Sequence, residues 1–374
     1  MIKIDKKIWK NIIKDFDYFL VAVTLITTIY GMIVISSATN NFNNNTRFIF
    51  VQSLGLGIGF CFIVGCTFLD YNYLKSFVKP IFVLNIVALL AVFFFGVGEE
   101  YSGASRWIDI GSFTIQPSEI IKIGFIITFA SHLDYVKENI HKFRTLALAL
   151  LHVGVLAGLI MIQPDLGTAL ALVFIAIGML FVAGISYKHI LIMAASAAVF
   201  IPVSWLFLLH GYQKQRILVF LNPDLDPLGS GYHVIQSKIA VGSGQLFGRG
   251  LYEGTQSQLG FLPEKHTDFI FAVIGEELGM IGATVVILLL ITIIIRCIAT
   301  ARIAKDDFGS LLCIGVASMI AFQTFQNAGM CIGLMPITGI PLPFISYGAN
   351  ALITNLAGLA LVINVRIRRK IINF

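Results

Sequence analysis

Asp268 stands where a long polar stretch gives way to Phe269-Ile270-Phe271-Ala272-Val273. An aspartate there has two readings. It caps the amino end of a helix through its carboxylate, or it sits against apolar wall, its pKa rises toward neutrality, and it accepts a proton. Spacing alone leaves both open. Glu276 and Glu277 follow eight and nine residues later, so a regular helix turns them by about 80° and 180° from Asp268. Glu277 therefore faces away from Asp268, and a buried carboxylate held by a neighbouring helix is the commoner role for Glu276.

Lys122 lies three residues after Glu119, on one helix face and within pairing distance. An ion pair that braces the bundle and a cation that faces an anionic substrate both fit this spacing. Arg106 and Trp107 join a bidentate anion binder to a ring suited to the membrane interface. Lys214 and Arg216 open the long loop and are placed to meet lipid phosphate. Asp165, between Pro164 and Leu166-Gly167, reads as a helix cap.

The elements that must position these residues follow from composition. A 374-residue chain that is 57% hydrophobic and 12% charged has too little polar surface to cover a water-soluble globule. About twenty apolar residues cross a bilayer as a helix, and such runs recur near 18–36, 48–68, 78–97, 117–133, 144–162, 166–184, 188–209, 269–295, 309–333 and 345–365. The expected fold is an all-α polytopic membrane protein of about ten transmembrane helices, with a large extracytoplasmic loop between helices 7 and 8. The short alternating segments of a β-barrel are absent. The first apolar run follows Lys3, Lys6, Lys7, Lys10 and Lys14, and its length together with the many later spans makes it an uncleaved helix.

The net charge of +6 argues for orientation and not for nucleic acid. With the amino terminus inside, internal segments hold 18 lysines and arginines and external ones 7, Lys122 standing apart within a span. The positive-inside rule then puts both termini in the cytoplasm of a cytoplasmic (inner) membrane protein. Cys61, Cys66, Cys297, Cys313 and Cys331 all fall in apolar runs, away from loops where a disulfide framework or zinc site would need them. Residues 1–374 read as a single integral-membrane domain, within which 210–267 forms a glycine-rich external loop. A stretch that long is usually functional, and its middle, Tyr232 to Val241, is amphipathic.

Five segments carry a resemblance: Gly103-Ala104-Ser105-Arg106-Trp107-Ile108, Gln116-Pro117-Ser118-Glu119, Gln163-Pro164-Asp165-Leu166-Gly167-Thr168, Phe261-Leu262-Pro263-Glu264-Lys265-His266-Thr267-Asp268-Phe269-Ile270-Phe271-Ala272, and Pro341-Leu342-Pro343-Phe344-Ile345-Ser346-Tyr347-Gly348. In this order, on a ten-helix frame, the chain resembles the SEDS family, the RodA, FtsW and SpoVE group, over nearly its whole length. Gly254-Thr255-Gln256-Ser257-Gln258-Leu259 and Thr338-Gly339-Ile340-Pro341 look more like the elongation-type RodA branch. Ala349-Asn350-Ala351 departs from the glycine and small hydroxyl residues usual in the family.

The resemblance implies a peptidoglycan glycosyltransferase that polymerises lipid II beside a class B penicillin-binding protein. Asp268 matches the family's essential aspartate, the expected general base of an inverting reaction. Expected substrate contacts are Arg106, Trp107, Glu119, Lys122, Arg216, Glu264 and His266. No metal ligands are expected within the protein, and any Mg2+ or Mn2+ would be recruited chiefly by the substrate pyrophosphate. A lipid II flippase and a non-catalytic scaffold for cell-wall enzymes share the composition. The outward placement of Asp268 and the long loop favours external chemistry.

Overall fold

The computed structural model describes residues 14–42, 45–97, 106–111, 113–208, 211–227 and 229–369. Lys3, Lys6, Lys7, Lys10 and Gly103-Ala104-Ser105 lie outside them. Apolar runs in lipid must satisfy their backbone internally, so they become helices. These are α1 (Tyr18–Ala38), α2 (Asn45–Phe68), α3 (Val78–Phe95), α4 (Pro117–Val136), α5 (Phe143–Ile162), α6 (Leu166–Val182), α7 (Tyr187–Val203), α12 (Gly279–Arg302), α13 (Asp307–Cys331) and α14 (Ala349–Ile367). The loop between α7 and α12 folds into α8 (Gly211–Leu221), α9 (Ser230–Ser243), α10 (Thr255–Gln258) and α11 (Ile270–Glu277).

Among the described residues, seven helices are long and apolar enough to cross a membrane: α1, α2, α3 with the turn before it, α5, α12, α13 and α14. Three more of the expected spans are present in other guises. Helix α6 is apolar but shorter, α4 carries Glu119, Lys122 and Asp134, and α7 contains Pro202 and runs on into a π-turn at Ser204–Leu208. Burial separates centre from rim: α13 and α14 are 72% and 67% buried, against 22% for α2 and 17% for α3.

One expected span is corrected. The run 269–295 is not one helix but two, α11 and α12, broken where Gly279 adopts φ +67°. The backbone that follows α9 fills the break: Arg249 N donates to Glu276 O, Gly250 N to Glu277 O, and Met280 N to Gln245 O. A Cβ at Gly279 would stand 2.3 Å from Gly248 N, so only glycine admits this insertion. A small sheet is a second departure from the all-helical reading. Strands β1 (Gly96–Val97), β2 (Trp107–Ile110) and β3 (Phe113–Ile115) pair antiparallel in that order, with Trp107 opposite Val97 and Asp109 opposite Thr114.

Ion pairs gather at the end of the bundle away from Asp268. Asp17 meets Arg296 at 2.8 Å and Arg366 at 3.3 Å, and Asp15 meets Arg369 at 2.7 Å. The contact between residues 15 and 369 puts the start of α1 and the finish of α14 on one side, as an even number of crossings requires.

Close approach at the other end fixes the depth of the Pro341–Gly348 turn. A Cβ at Gly31 would lie 2.6 Å from Ile345 Cα, and Gly31 sits seven residues before the end of α1, about 10 Å along the axis. The turn is therefore recessed below the helix ends. Gly31→Val should overpack this contact against backbone that has no side chain to swing aside. The expected loss is about 1–3 kcal/mol of stability, read as a lower unfolding temperature in detergent.

Candidate active site

Asp268 precedes α11, outside the spanning helices, and is partly exposed. Its side chain does not cap α11: the N-cap is Phe269 and no side chain bonds there. Backbone contacts place it instead. Thr267 N and Phe269 N both donate to Glu264 O, with Glu264 held at φ +45°, a left-handed conformation costly for a residue with a Cβ. Ser346 Oγ donates to Thr267 O at 2.7 Å, and Tyr347 N donates to His266 O at 2.9 Å. Gln52 clasps the same turn, its amide donating to Ser346 O and accepting from Gly348 N. Asn327 on α13 donates to Asp268 O and to Ile340 O, each at 2.8 Å. The carboxylate faces Gly339, where an added Cβ would sit 3.4 Å from Oδ2.

The Asp268 carboxyl is pushed up to about 6, chiefly by desolvation and then by the nearby Glu264 charge, against the downward pull of Arg216 and then Arg106. The two arginines converge from different elements. Arg106, at the foot of β2, donates to Pro164 O. On α8, Arg216 donates to Ile337 O at 3.3 Å. Pro164, Arg216, Ile337 and Thr338 line one small cavity of about 300 Å³, open mouth included. A carboxylate of raised pKa beside two guanidinium groups can accept a proton while negative charge develops next to it.

The remaining candidates are distributed around this centre. Trp107 lies half-buried in β2. Lys122 is buried, 2.7 Å from Glu119 Oε1, while Glu119 Oε2 is buried with no protein partner. Glu264 is exposed near Asp268. His266 packs against the edges of Phe42 and Phe48 and a tilted Tyr347, and burial lowers its pKa, so it is neutral at pH 7.

The pair that follows Asp268 in sequence has a different task. Glu276 accepts from Gln256 N and Ser257 N, and Glu277 accepts from Ser37 Oγ and Gln258 Nε2. These two buried carboxylates pin α10 to the end of α1. Lys265 Nζ joins them by donating to Ser257 O. Asp165 caps α6 through Thr168 N and Thr168 Oγ1, as its spacing indicated.

Sequence reasoning missed Asn327, Ser346 and His233. His233, on α9, stacks on Phe269 at 6.1 Å with the planes 9° apart. Asn327 and Gln323, an i,i+4 polar pair inside an apolar helix, were the readable signal for α13. Asn350, the departure in Ala349-Asn350-Ala351, donates to Thr114 O at 2.8 Å and so ties the start of α14 to the sheet that carries Trp107.

A polytopic helical membrane protein with a recessed aspartate, two flanking arginines and a folded loop beside them is the class of protein that the fold and site define. The chain belongs to the FtsW, RodA and SpoVE family, described as cell cycle protein, whose model matches residues 17–371. It is 37% identical over 371 residues to the peptidoglycan glycosyltransferase MrdB of Escherichia coli K12, covering 98% of this chain and 97% of that one. A probable peptidoglycan glycosyltransferase FtsW of Geobacter metallireducens is 36% identical, covering 96% of each chain. Among solved structures, a chain from work on the structural coordination of polymerization and crosslinking by a peptidoglycan synthase complex matches with TM-score 0.79 and 31% identity, over 94% of this chain and 97% of that one. The Thermus thermophilus rod shape determining protein RodA matches with TM-score 0.70 and 28% identity, over 95% and 97%.

Proposed function

We propose that this chain is a peptidoglycan glycosyltransferase that joins lipid II units into glycan at the outer face of the cytoplasmic membrane, with both termini in the cytoplasm. The observation that carries the reading is Asp268: uncapped, recessed, raised in pKa and flanked by Arg106 and Arg216. In the reaction, the 4-hydroxyl of one disaccharide unit attacks the anomeric carbon of another, and the bond from that carbon to the pyrophosphate oxygen breaks with inversion. Asp268 takes the hydroxyl proton. The electron pair leaves on undecaprenyl pyrophosphate, a stable anion that needs cations more than it needs a protonating acid.

Arg106 and Arg216 are assigned to that pyrophosphate, with Lys122 as a third cation that can reach a phosphate only by exchanging Glu119 for it. Trp107, Glu264 and His266 are assigned to the rest of the headgroup. A Mg2+ or Mn2+ ion would arrive on the pyrophosphate. The partner is a class B penicillin-binding protein that crosslinks the product, and the loop segment Gly254–Leu259 supports the elongation branch. Flippase activity fits less well, because the carboxylate and both arginines gather at one end of the bundle.

Polymerisation of purified lipid II by the purified protein with its partner tests the reading. Glycan product sustains it; intact lipid II with a folded complex sinks it. Arg106→Ala and Arg216→Ala should each lower kcat about tenfold or more at unchanged unfolding temperature. Since both guanidinium groups hold the Asp268 pKa down, their loss should also move the acid limb of the pH–rate profile upward, and an unmoved limb would separate them from Asp268.

A further inference from the structure

The Asn327 amide is an expensive group in its place. Asn327 is fully buried in α13, and its Oδ1 has no protein partner, whereas an apolar side chain would fill the same volume with no orphaned acceptor. Both hydrogens of its NH2 are spent on carbonyls, Asp268 O and Ile340 O, each at 2.8 Å. Since two acceptors face that atom, it must be the nitrogen, and the flip of the amide is fixed by chemistry.

Those two carbonyls belong to the two segments that bound the base. One is the residue that carries the carboxylate. The other follows Gly339, whose Cα faces Asp268 Oδ2. A single amide therefore sets the spacing between the carboxylate and the turn opposite it. Cys331, one helical turn further along the same face, adds a weak Sγ contact to the same Asp268 carbonyl at 3.8 Å, and Ser237 Oγ anchors Cys331 O in turn at 2.8 Å.

We propose that Asn327 is a positioning residue for the reaction, holding the Asp268 carboxylate at its recessed depth by clamping the Asp268 and Ile340 carbonyls together. It touches neither substrate nor the reacting atoms. The proposal rests on Asp268 being the general base. Without the clamp the carboxylate swings outward, and a shift near 1 Å at a reacting group costs on the order of 100-fold in rate.

Asn327→Leu keeps the branched outline of the side chain at a somewhat larger volume and removes both donors. In lipid II polymerisation by the full complex, it is expected to lower kcat about 10- to 100-fold while KM stays within about threefold, as for a group that acts on the base and not on the substrate. The acid limb of its pH–rate profile should fall toward the ordinary aspartate range, because the released carboxyl regains water. Rates are taken per folded complex. If Asn327→Leu assembles poorly, Asn327→Ser, which cannot span both carbonyls, is read on the same limb. A wild-type kcat overturns the inference, and so does a loss of rate with the limb unmoved. Wild-type protein that polymerises beside a dead Asp268→Asn shows the underlying reading intact, so a neutral Asn327 variant then sinks this inference alone; active Asp268→Asn sinks both.

Discussion

Asp268→Asn should abolish polymerisation, lowering kcat by at least about 100-fold, while the protein folds, retains its partner and becomes more stable. The amide cannot accept the hydroxyl proton, yet it matches the carboxylate in shape. The gain in stability follows from linkage. The carboxyl is pushed up to about 6 in the folded protein from its ordinary 3.8, so the folded state holds the proton more tightly than the unfolded one. Asp268 thus adds stability in acid that is lost as pH climbs from 3.8 toward 6. Above that window the ionised carboxylate costs at most about 3 kcal/mol, and less because it keeps some contact with solvent. The Asn variant escapes this cost and should unfold at higher temperature at pH 7.5, with the difference shrinking below pH 5.

The same displacement governs rate. An unperturbed aspartate would stay ionised down to about pH 4. With its pKa near 6, Asp268 should make log kcat/KM fall with unit slope below about pH 6. Polymerisation measured from pH 4.5 to 8 at matched ionic strength checks this. A flat profile to pH 4.5, or an Asn variant that still polymerises, removes Asp268 as the base.

The spans were legible because lipid imposes one rule along each of them: about twenty residues, mostly apolar, with internal hydrogen bonds. The break between α11 and α12 was not. Gly279 is one of three glycines in that stretch, with Gly275 and Gly282 on either side, and the cause of the break is backbone supplied from residues 245–250, a contact between distant segments. Asp268 stood out as an ionisable group at the edge of an apolar run, but its rejection as a cap depended on where Phe269 turned. The contacts of Asp268 with the Pro341–Gly348 turn are likewise tertiary. Glu276 was read as buried and bonded because a carboxylate two turns into an apolar helix must find donors, and Glu277, read only as facing away from Asp268, proves to be held in the same way. Their partners in α10 had no local signature.

Lys122→Met alone should be among the most damaging substitutions in the chain, because it strands the Glu119 carboxylate in the bundle at a cost of about 3–5 kcal/mol. Glu119→Gln combined with Lys122→Met removes both charges at similar volume and should restore the fold. Polymerisation should not return with it, staying at least about tenfold below wild type. The reason lies in what surrounds the pair. Gly358 packs against Ile123 of α4 and Val316 and Met319 of α13, which sets a common level for three helices. Within about one turn of that level, toward Asp268, lie Glu119 Oε2, both amide atoms of Gln323, Thr354 Oγ1 and Asn355 Oδ1, all buried with no protein partner. A brace built only for stability would leave no such atoms, since each orphan costs free energy. Unpartnered polar groups near the pair are what a substrate phosphate would need in order to draw Lys122 away from Glu119. Unfolding temperature and glycan yield, measured on the two single variants and the double, separate the roles. A double variant that polymerises at the wild-type rate makes the pair a brace and leaves the pyrophosphate to Arg106 and Arg216.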